Sequence, residues 1–224
     1  VTLLPDAARR VELLLKLGYL EAVRGARSSD TPLEGTRLTL KGRVACELTT
    51  AFDELLLTEA VCTGSLHGLS APEVAGVLSL FVSKGKLPQR PPRLPAALQR
   101  SRDSLYELAK RTTLLQAEAG VLDLGEEGVS GHVRFALNDA MIAAAHAWAS
   151  GAPFSELSEH TVLHEGDVIR ILSRVEELAK QVRAAARLLG DAQLVKTLEL
   201  VLAAIKRELV AAPSLYTDAV GEGP

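Results

Sequence analysis

Residues 165–189 read Glu165-Gly-Asp-Val-Ile-Arg-Ile-Leu-Ser-Arg-Val-Glu-Glu-Leu-Ala-Lys-Gln-Val-Arg-Ala-Ala-Ala-Arg-Leu-Leu189, and Gly190 follows. Val168, Ile171, Leu172, Val175, Leu178, Val182 and Leu189 recur at the spacing that gathers side chains on one face of an α-helix. Gly190 suits the end of that helix, because glycine takes the left-handed cap without a Cβ penalty. So long an apolar stripe has to be covered by other helices. Arg170, Arg174, Glu177 and Gln181 lie at spacings of four, three and four, and form a second, polar stripe on the same helix.

The rest of the chain agrees with a helical reading. It has 224 residues, 47% of them hydrophobic and 24% charged, which is a normal composition for a globular protein with a core. Aromatic residues make up 4%, and Ala and Leu, both strong helix formers, dominate. The expected fold is mainly all-α: a helical bundle of about seven to eight helices with a short β element near the N-terminus.

Pro5 and Asp6 open a first helix that Gly18 stops. Gly25 to Gly35 reads as a loop, and Arg37-Leu-Thr-Leu-Lys alternates like a short strand. Helices are expected from residue 50 onward. Ser70-Ala-Pro-Glu73 has a capping-box pattern ahead of Val74, Val77, Leu78 and Phe81. Residues 87–95 hold four prolines and read as a linker. Further helices are predicted over 96–119, 129–150, 165–189 and 192–211. Residues 1–45 are expected to form a winged-helix-like or connecting element, 46–216 the bundle and 217–224 a flexible tail. The chain lacks an initiating Met and is expected to be a piece of something longer.

The net charge of −3 makes no global case for a nucleic-acid binder. Charge is uneven, however. Residues 84–111 hold eight basic residues, with Lys84 and Lys86 first, against Asp103 and Glu107. Either a solvated face or a phosphate-contacting patch gives that pattern. Lys41 and Arg43, flanking Gly42, are open to phosphate contact or to docking on a neighbouring domain. Cys46 and Cys62 show no metal-ligand spacing and are expected to be buried free thiols. His160 and His164 could share a helix face, but the His-Glu-x-x-His order is missing. Trp148, Phe154 and Tyr216 are read as core residues. No apolar run reaches the roughly 18–20 residues that a membrane span needs. No phosphate-binding Gly-x-x-x-x-Gly-Lys-Ser/Thr loop and no DExH box occurs, so the chain alone carries no ATPase motif and no catalytic residue is assigned.

Several blocks resemble one family. They are Leu40-Lys-Gly-Arg-Val-Ala-Cys-Glu47 with Asp53-Glu-Leu-Leu-Leu-Thr-Glu59, then Leu78-Ser-Leu-Phe81, then Ala147-Trp-Ala-Ser-Gly-Ala-Pro-Phe-Ser-Glu-Leu157. Glu165-Gly-Asp-Val-Ile-Arg170 with Arg174-Val-Glu-Glu-Leu178 follows, and Ala211-Ala-Pro-Ser-Leu-Tyr216 closes the series. In this order they resemble the C-terminal helical domain, called DSHCT, of Ski-family exosome-associated DExH-box RNA helicases.

The resemblance implies a bundle packed against the two RecA-like domains of the same protein. It implies that the 165–189 helix is a ratchet helix lining the channel by which single-stranded RNA leaves the motor, moving 3′-to-5′ toward the exosome or its adaptor complex. Arg174 falls at the family's base-contacting position, with Arg170, Glu177 and Gln181 along the same stripe. Lys84-Gly-Lys86 stands where some members carry an acidic residue facing RNA, so a basic backbone contact there is expected. ATP and Mg²⁺ belong to the parent helicase and no cofactor to this chain. Ala186-Arg-Leu-Leu-Gly-Asp191 leans toward the cytoplasmic superkiller branch, with the nuclear branch as the alternative. The other class of function left open is a helical protein–protein interaction module with no RNA role of its own.

Overall fold

The computed structural model describes residues 3–23, 33, 35–87, 89 and 92–207. It confirms an all-α fold with a small N-terminal β element. Helix α1 (Leu3–Lys16) leads into strand β1 (Leu20–Ala22), which pairs antiparallel with β2 (Thr36–Leu38) in the register Leu20 to Leu38. Then come α2 (Leu40–Glu47), α3 (Glu54–Cys62), α4 (Ala71–Leu80), α5 (Ala96–Glu118), α6 (Gly128–Ala136), α7 (Ile142–Ala149), α8 (Glu165–Leu189) and α9 (Ala192–Lys206). Short 3-10 turns at Asp139–Met141 and Phe154–Glu159 bracket α7. The expected tail 217–224, the closing Ser-Leu-Tyr216 block and most of the loop 25–35 lie outside the described residues.

Helix α4 is the hub. It is apolar on every side, with Val74 to Leu80 all buried, and it packs against α5, α7, α8 and α9. A helix apolar all round has no solvent face to give up and belongs in the centre. Its capping box is formed, since the Ser70 backbone N–H donates to the Glu73 carboxylate at 2.8 Å. The predicted stripe of α8 faces this centre. Val168, Ile171, Leu172, Val175, Leu178 and Val182 are buried, Ala179, Ala185 and Ala186 fill the gaps, and Leu189 is half-buried. Gly190 caps α8 at φ 73°. Trp148 is a core residue, 1% exposed, and its ring N–H donates to the Ile205 carbonyl at the end of α9 at 3.0 Å. Phe154 meets its edge at 6.1 Å.

Four expectations are corrected. Residues 129–150 are not one helix. The chain extends at Leu137 and Asn138, and the Asn138 side chain accepts from Ala140 N–H at 2.9 Å to start a new turn. Residues 40–47 form α2 rather than the end of a strand. Thr39 caps it, accepting from Gly42 N–H at 3.1 Å. Gly42 itself is required there, because a Cβ would sit 2.3 Å from the Tyr19 carbonyl oxygen. Cys46 is exposed on α2 and Cys62 only partly buried, so neither is a sealed core thiol. His160 and His164 end one turn and precede another, so they do not share a helix face.

Candidate functional site

The turn after α4 and the loop before α3 converge beside the middle of α8. Residues 49–52 form an irregular segment held by α8 from below. Gln181 accepts from the backbone N–H groups of Thr49 and Thr50 at 3.0 and 3.1 Å, and its amide donates to the Thr49 hydroxyl at 3.1 Å. Two turns back toward the N-terminus, Arg174 donates to the Thr50 carbonyl at 3.0 Å and lays its guanidinium over the Phe52 ring at 4.5 Å. Gln181 and Arg174 thus clamp the two ends of a segment that has no ladder of its own.

Phe52 also meets α6. Its ring lies 6.0 Å from that of Phe135, tilted by 53°, and Phe135 is 52% exposed. The Lys84 ammonium, coming from the turn after α4, sits 4.1 Å from the Phe52 centroid and 4.3 Å from that of Phe135. Lys84 is exposed, and its turn is held by Asn138, whose amide donates to the Gly85 carbonyl at 3.2 Å. Two cations from distant parts of the chain therefore share one aromatic pair at the surface. Such a patch offers what a single-stranded nucleic acid needs, fixed positive charge beside exposed π faces.

The other expected residues lie elsewhere on this face. Arg170 is exposed and pairs with Asp167 at 2.6 Å. Glu177 is exposed and comes within 3.7 Å of Lys180, which pairs more closely with Glu176 at 3.0 Å. Lys86 is exposed two residues beyond Lys84. The stripe is continuous on α8, but only Arg174 and Gln181 reach the 49–52 segment. Phe52 and Phe135 were not among the expected site residues. A lone Phe in a loop or on a short helix looks like core, and nothing local in the sequence joins the two.

Other basic residues are committed to structure. Lys41 pairs with Glu59 at 2.6 Å, donates to the Leu17 carbonyl at 2.9 Å and covers Tyr19 at 4.6 Å. That leaves it holding the β element to α3 rather than free for phosphate. Burial and the Glu59 carboxylate push the Tyr19 hydroxyl far above its usual range. Arg102 chelates Asp139 through Nε at 3.0 Å to both oxygens, and this bond raises its pKa further. Asp53, which caps α3 by accepting from Leu56 N–H at 2.8 Å, has its pKa raised by burial.

The glycine-containing loop Gly64–Gly68 leads into α4, but the Glu73 carboxylate fills the positive end of that helix, where a phosphate would have to sit. His67 in the same loop is paired with Asp191. Among the described residues no group of three His, Cys, Asp or Glu could hold a metal ion, and no helix is long and apolar enough to cross a membrane.

Comparison with known proteins bears on the whole chain. Residues 35–212 match the family model described as DSHCT (NUC185) domain. The chain is 34% identical over 217 residues to Superkiller complex protein 2 of Mus musculus, covering 96% of the chain and 16% of that protein. It is 35% identical over 207 residues to Exosome RNA helicase MTR4 of Homo sapiens, covering 92% of the chain and 18% of that protein. With ATP-dependent RNA helicase mtr4 of Schizosaccharomyces pombe it shares 32% over 213 residues, 95% of the chain and 18% of that protein. The chain thus spans less than a fifth of the length of these relatives.

Proposed function

The chain belongs to the DSHCT (NUC185) domain family, and from that premise we propose that it guides single-stranded RNA out of the RecA-like core of an ATP-dependent RNA helicase toward the exosome. The observation that carries this reading is the convergence of Arg174 and Lys84 on the Phe52–Phe135 pair. Arg174 sits on the helix that the family resemblance assigns to the channel wall, and Lys84 stands on the neighbouring turn. The relatives named for RNA helicase activity and for the exosome support the same partners.

In this reading Arg174 contacts bases, Lys84 and Lys86 contact phosphates, and Arg170 and Glu177 extend the polar track along α8. Gln181 acts through the 49–52 segment it holds. Residues 46–216 would be the body of the domain, with 1–45 connecting it to the motor. An arginine plane can stack on or bond to any base without reading its identity closely, which suits a strand that must move on. ATP and Mg²⁺ are handled by the parent helicase, and this chain's part is to bind and orient the strand. Identity to the superkiller and MTR4 branches is 34% and 35%, so likeness does not choose between cytoplasm and nucleus; the Ala186–Asp191 block favours the former.

The test is a titration of the chain with fluorescently labelled oligoadenylate at two salt concentrations. Binding that weakens steeply with salt supports the reading, since released counterions are the signature of phosphate contacts. Arg174→Ala in the parent helicase should slow unwinding while ATP binding stays intact. A protein–protein module without an RNA role predicts no salt-dependent binding and unchanged unwinding.

A further inference from the structure

Behind the aromatic pair, between α3, α5 and α6, lies a groove of about 410 Å³ lined by Phe52, Asp53, Glu54, Gln116, His132 and Phe135, among others. Its size falls within the range of about 300–1,000 Å³ typical of small-ligand clefts. Lys84 lies over both rings and Arg174 over Phe52, yet neither cation lines the groove. The region therefore has two sides: a cationic one at the surface and a neutral-to-acidic one inside, divided by two phenyl rings.

We propose that this groove receives one unstacked base of a single-stranded RNA whose phosphates are held on the Lys84 side. This rests on the RNA-guiding reading and adds the place where a base leaves the strand. Three observations carry it. Phe135 is 52% exposed, and in a chain with 4% aromatics an open phenyl at the mouth of a groove offers a face that any base can stack on.

Next, the groove repels what should stay out. Asp53 and Glu54 disfavour a phosphate, so the strand's backbone remains on the Lys84 side. The same carboxylates accept hydrogen bonds from the exocyclic amino groups of adenine, cytosine and guanine, which uracil lacks.

Last, a polar atom lies unused in the lining. His132 Nε2 is buried and meets no hydrogen-bond partner among the described residues. A buried ring nitrogen left alone is costly, and rotation of the imidazole toward the groove would let it bond to a base edge. Lys84 meanwhile covers the rings on a long, exposed side chain. Pairing with a phosphate draws the ammonium off and uncovers the stacking faces.

The experiment uses the whole chain and a short single-stranded RNA with 2-aminopurine at alternate positions, a probe that carries an exocyclic amino group. Polarisation reports binding, and 2-aminopurine fluorescence reports loss of stacking on neighbouring bases. Wild type should bind with a rise in fluorescence. Phe135→Leu, at an exposed position and checked for unchanged helicity by circular dichroism, should bind about tenfold more weakly with that rise abolished. Phe135→Tyr should keep both. Lys84→Ala should flatten the salt dependence and retain the rise. If the wild type binds no RNA, the RNA-guiding reading fails and this inference with it. If it binds with steep salt dependence but Phe135→Leu shows the wild-type rise, the base site is overturned and the RNA-guiding reading stands.

Discussion

Of the arginines that lie over aromatic rings in this molecule, two do so in opposite surroundings. Arg207 covers Trp148 at 4.1 Å and donates to the Trp148 carbonyl at 2.7 Å. Trp148 is 1% exposed and its own N–H is bonded to Ile205. Arg174 covers Phe52 at 4.5 Å and donates to the Thr50 carbonyl at 3.0 Å. Its ring neighbour Phe135 is half exposed, and Lys84 shares the same pair. One stacked pair seals the end of a core, while the other is half-buried beside an exposed ring. The chemistry of contact is the same, so exposure of the ring and saturation of its neighbours decide whether such a pair stabilises the fold or remains available to a ligand.

The comparison breaks first at Trp148. Trp148→Ala removes the largest fully buried side chain together with its bond to α9. We expect a loss of about 3–5 kcal/mol, the usual cost of emptying such a site, read as a lower midpoint in urea with the slope unchanged. Arg207→Ala should cost about 1.5–3 kcal/mol, the scale of a charge-assisted hydrogen bond, with no effect on RNA affinity. Arg174→Ala should reverse this pattern. It should weaken RNA binding about tenfold, close to 1.4 kcal/mol, while costing less stability than Arg207→Ala. Equal losses of stability in the two arginine variants would mean that the surface pair is structural too.

The contrast also separates what could be read in the sequence from what could not. The limits of α8, its buried stripe and the capping box at Ser70 were legible, because periodicity and caps are local. The core role of Trp148 was legible from its apolar neighbours Ile142, Ala145 and Ala147. Helix α2 was not, since Arg37-Leu-Thr-Leu alternates like a strand and Gly42 looks like a breaker. Only the approach of the Tyr19 carbonyl shows why a glycine belongs inside that helix. The break at Asn138 was hidden for a related reason: a capping Asn looks ordinary in sequence until its side chain is seen bonded to Ala140. At the candidate site Arg174 and Lys84 could be named singly, whereas their meeting on Phe52 and Phe135 is a tertiary event between α8, the turn after α4 and α6.

Gln181 sharpens the comparison at smaller scale. It was expected to contact RNA, and its amide is hydrogen-bonded to Thr49 and Thr50. Gln181→Leu leaves those two N–H groups without their acceptor, at a cost of about 1 kcal/mol. Affinity for RNA should fall only modestly, because Arg174 still holds the Thr50 carbonyl. Faster amide hydrogen exchange confined to residues 49–52 would identify the effect as local. A loss of affinity as large as that of Arg174→Ala would instead mean that the amide itself touches the strand.

Arg170 gives the smallest effect and the cleanest separation of charge from fold. Its side chain is 71% exposed and pairs with Asp167 on the same helix. An exposed pair at this spacing contributes about 0.2–0.5 kcal/mol, so Arg170→Gln should leave the thermal midpoint almost unchanged. If Arg170 reaches one phosphate of a bound strand, the slope of log affinity against log salt should flatten by about 0.7, the contribution of a single contact on single-stranded nucleic acid. The variant should then approach wild-type affinity as salt rises, because the term it removes is the one that salt suppresses. Arg174→Ala should stay weaker at every salt concentration, since part of what it removes is contact with a base rather than attraction to charge. An Arg170→Gln variant with the wild-type salt slope would confine the RNA track on α8 to Arg174 and return Arg170 to its pairing with Asp167.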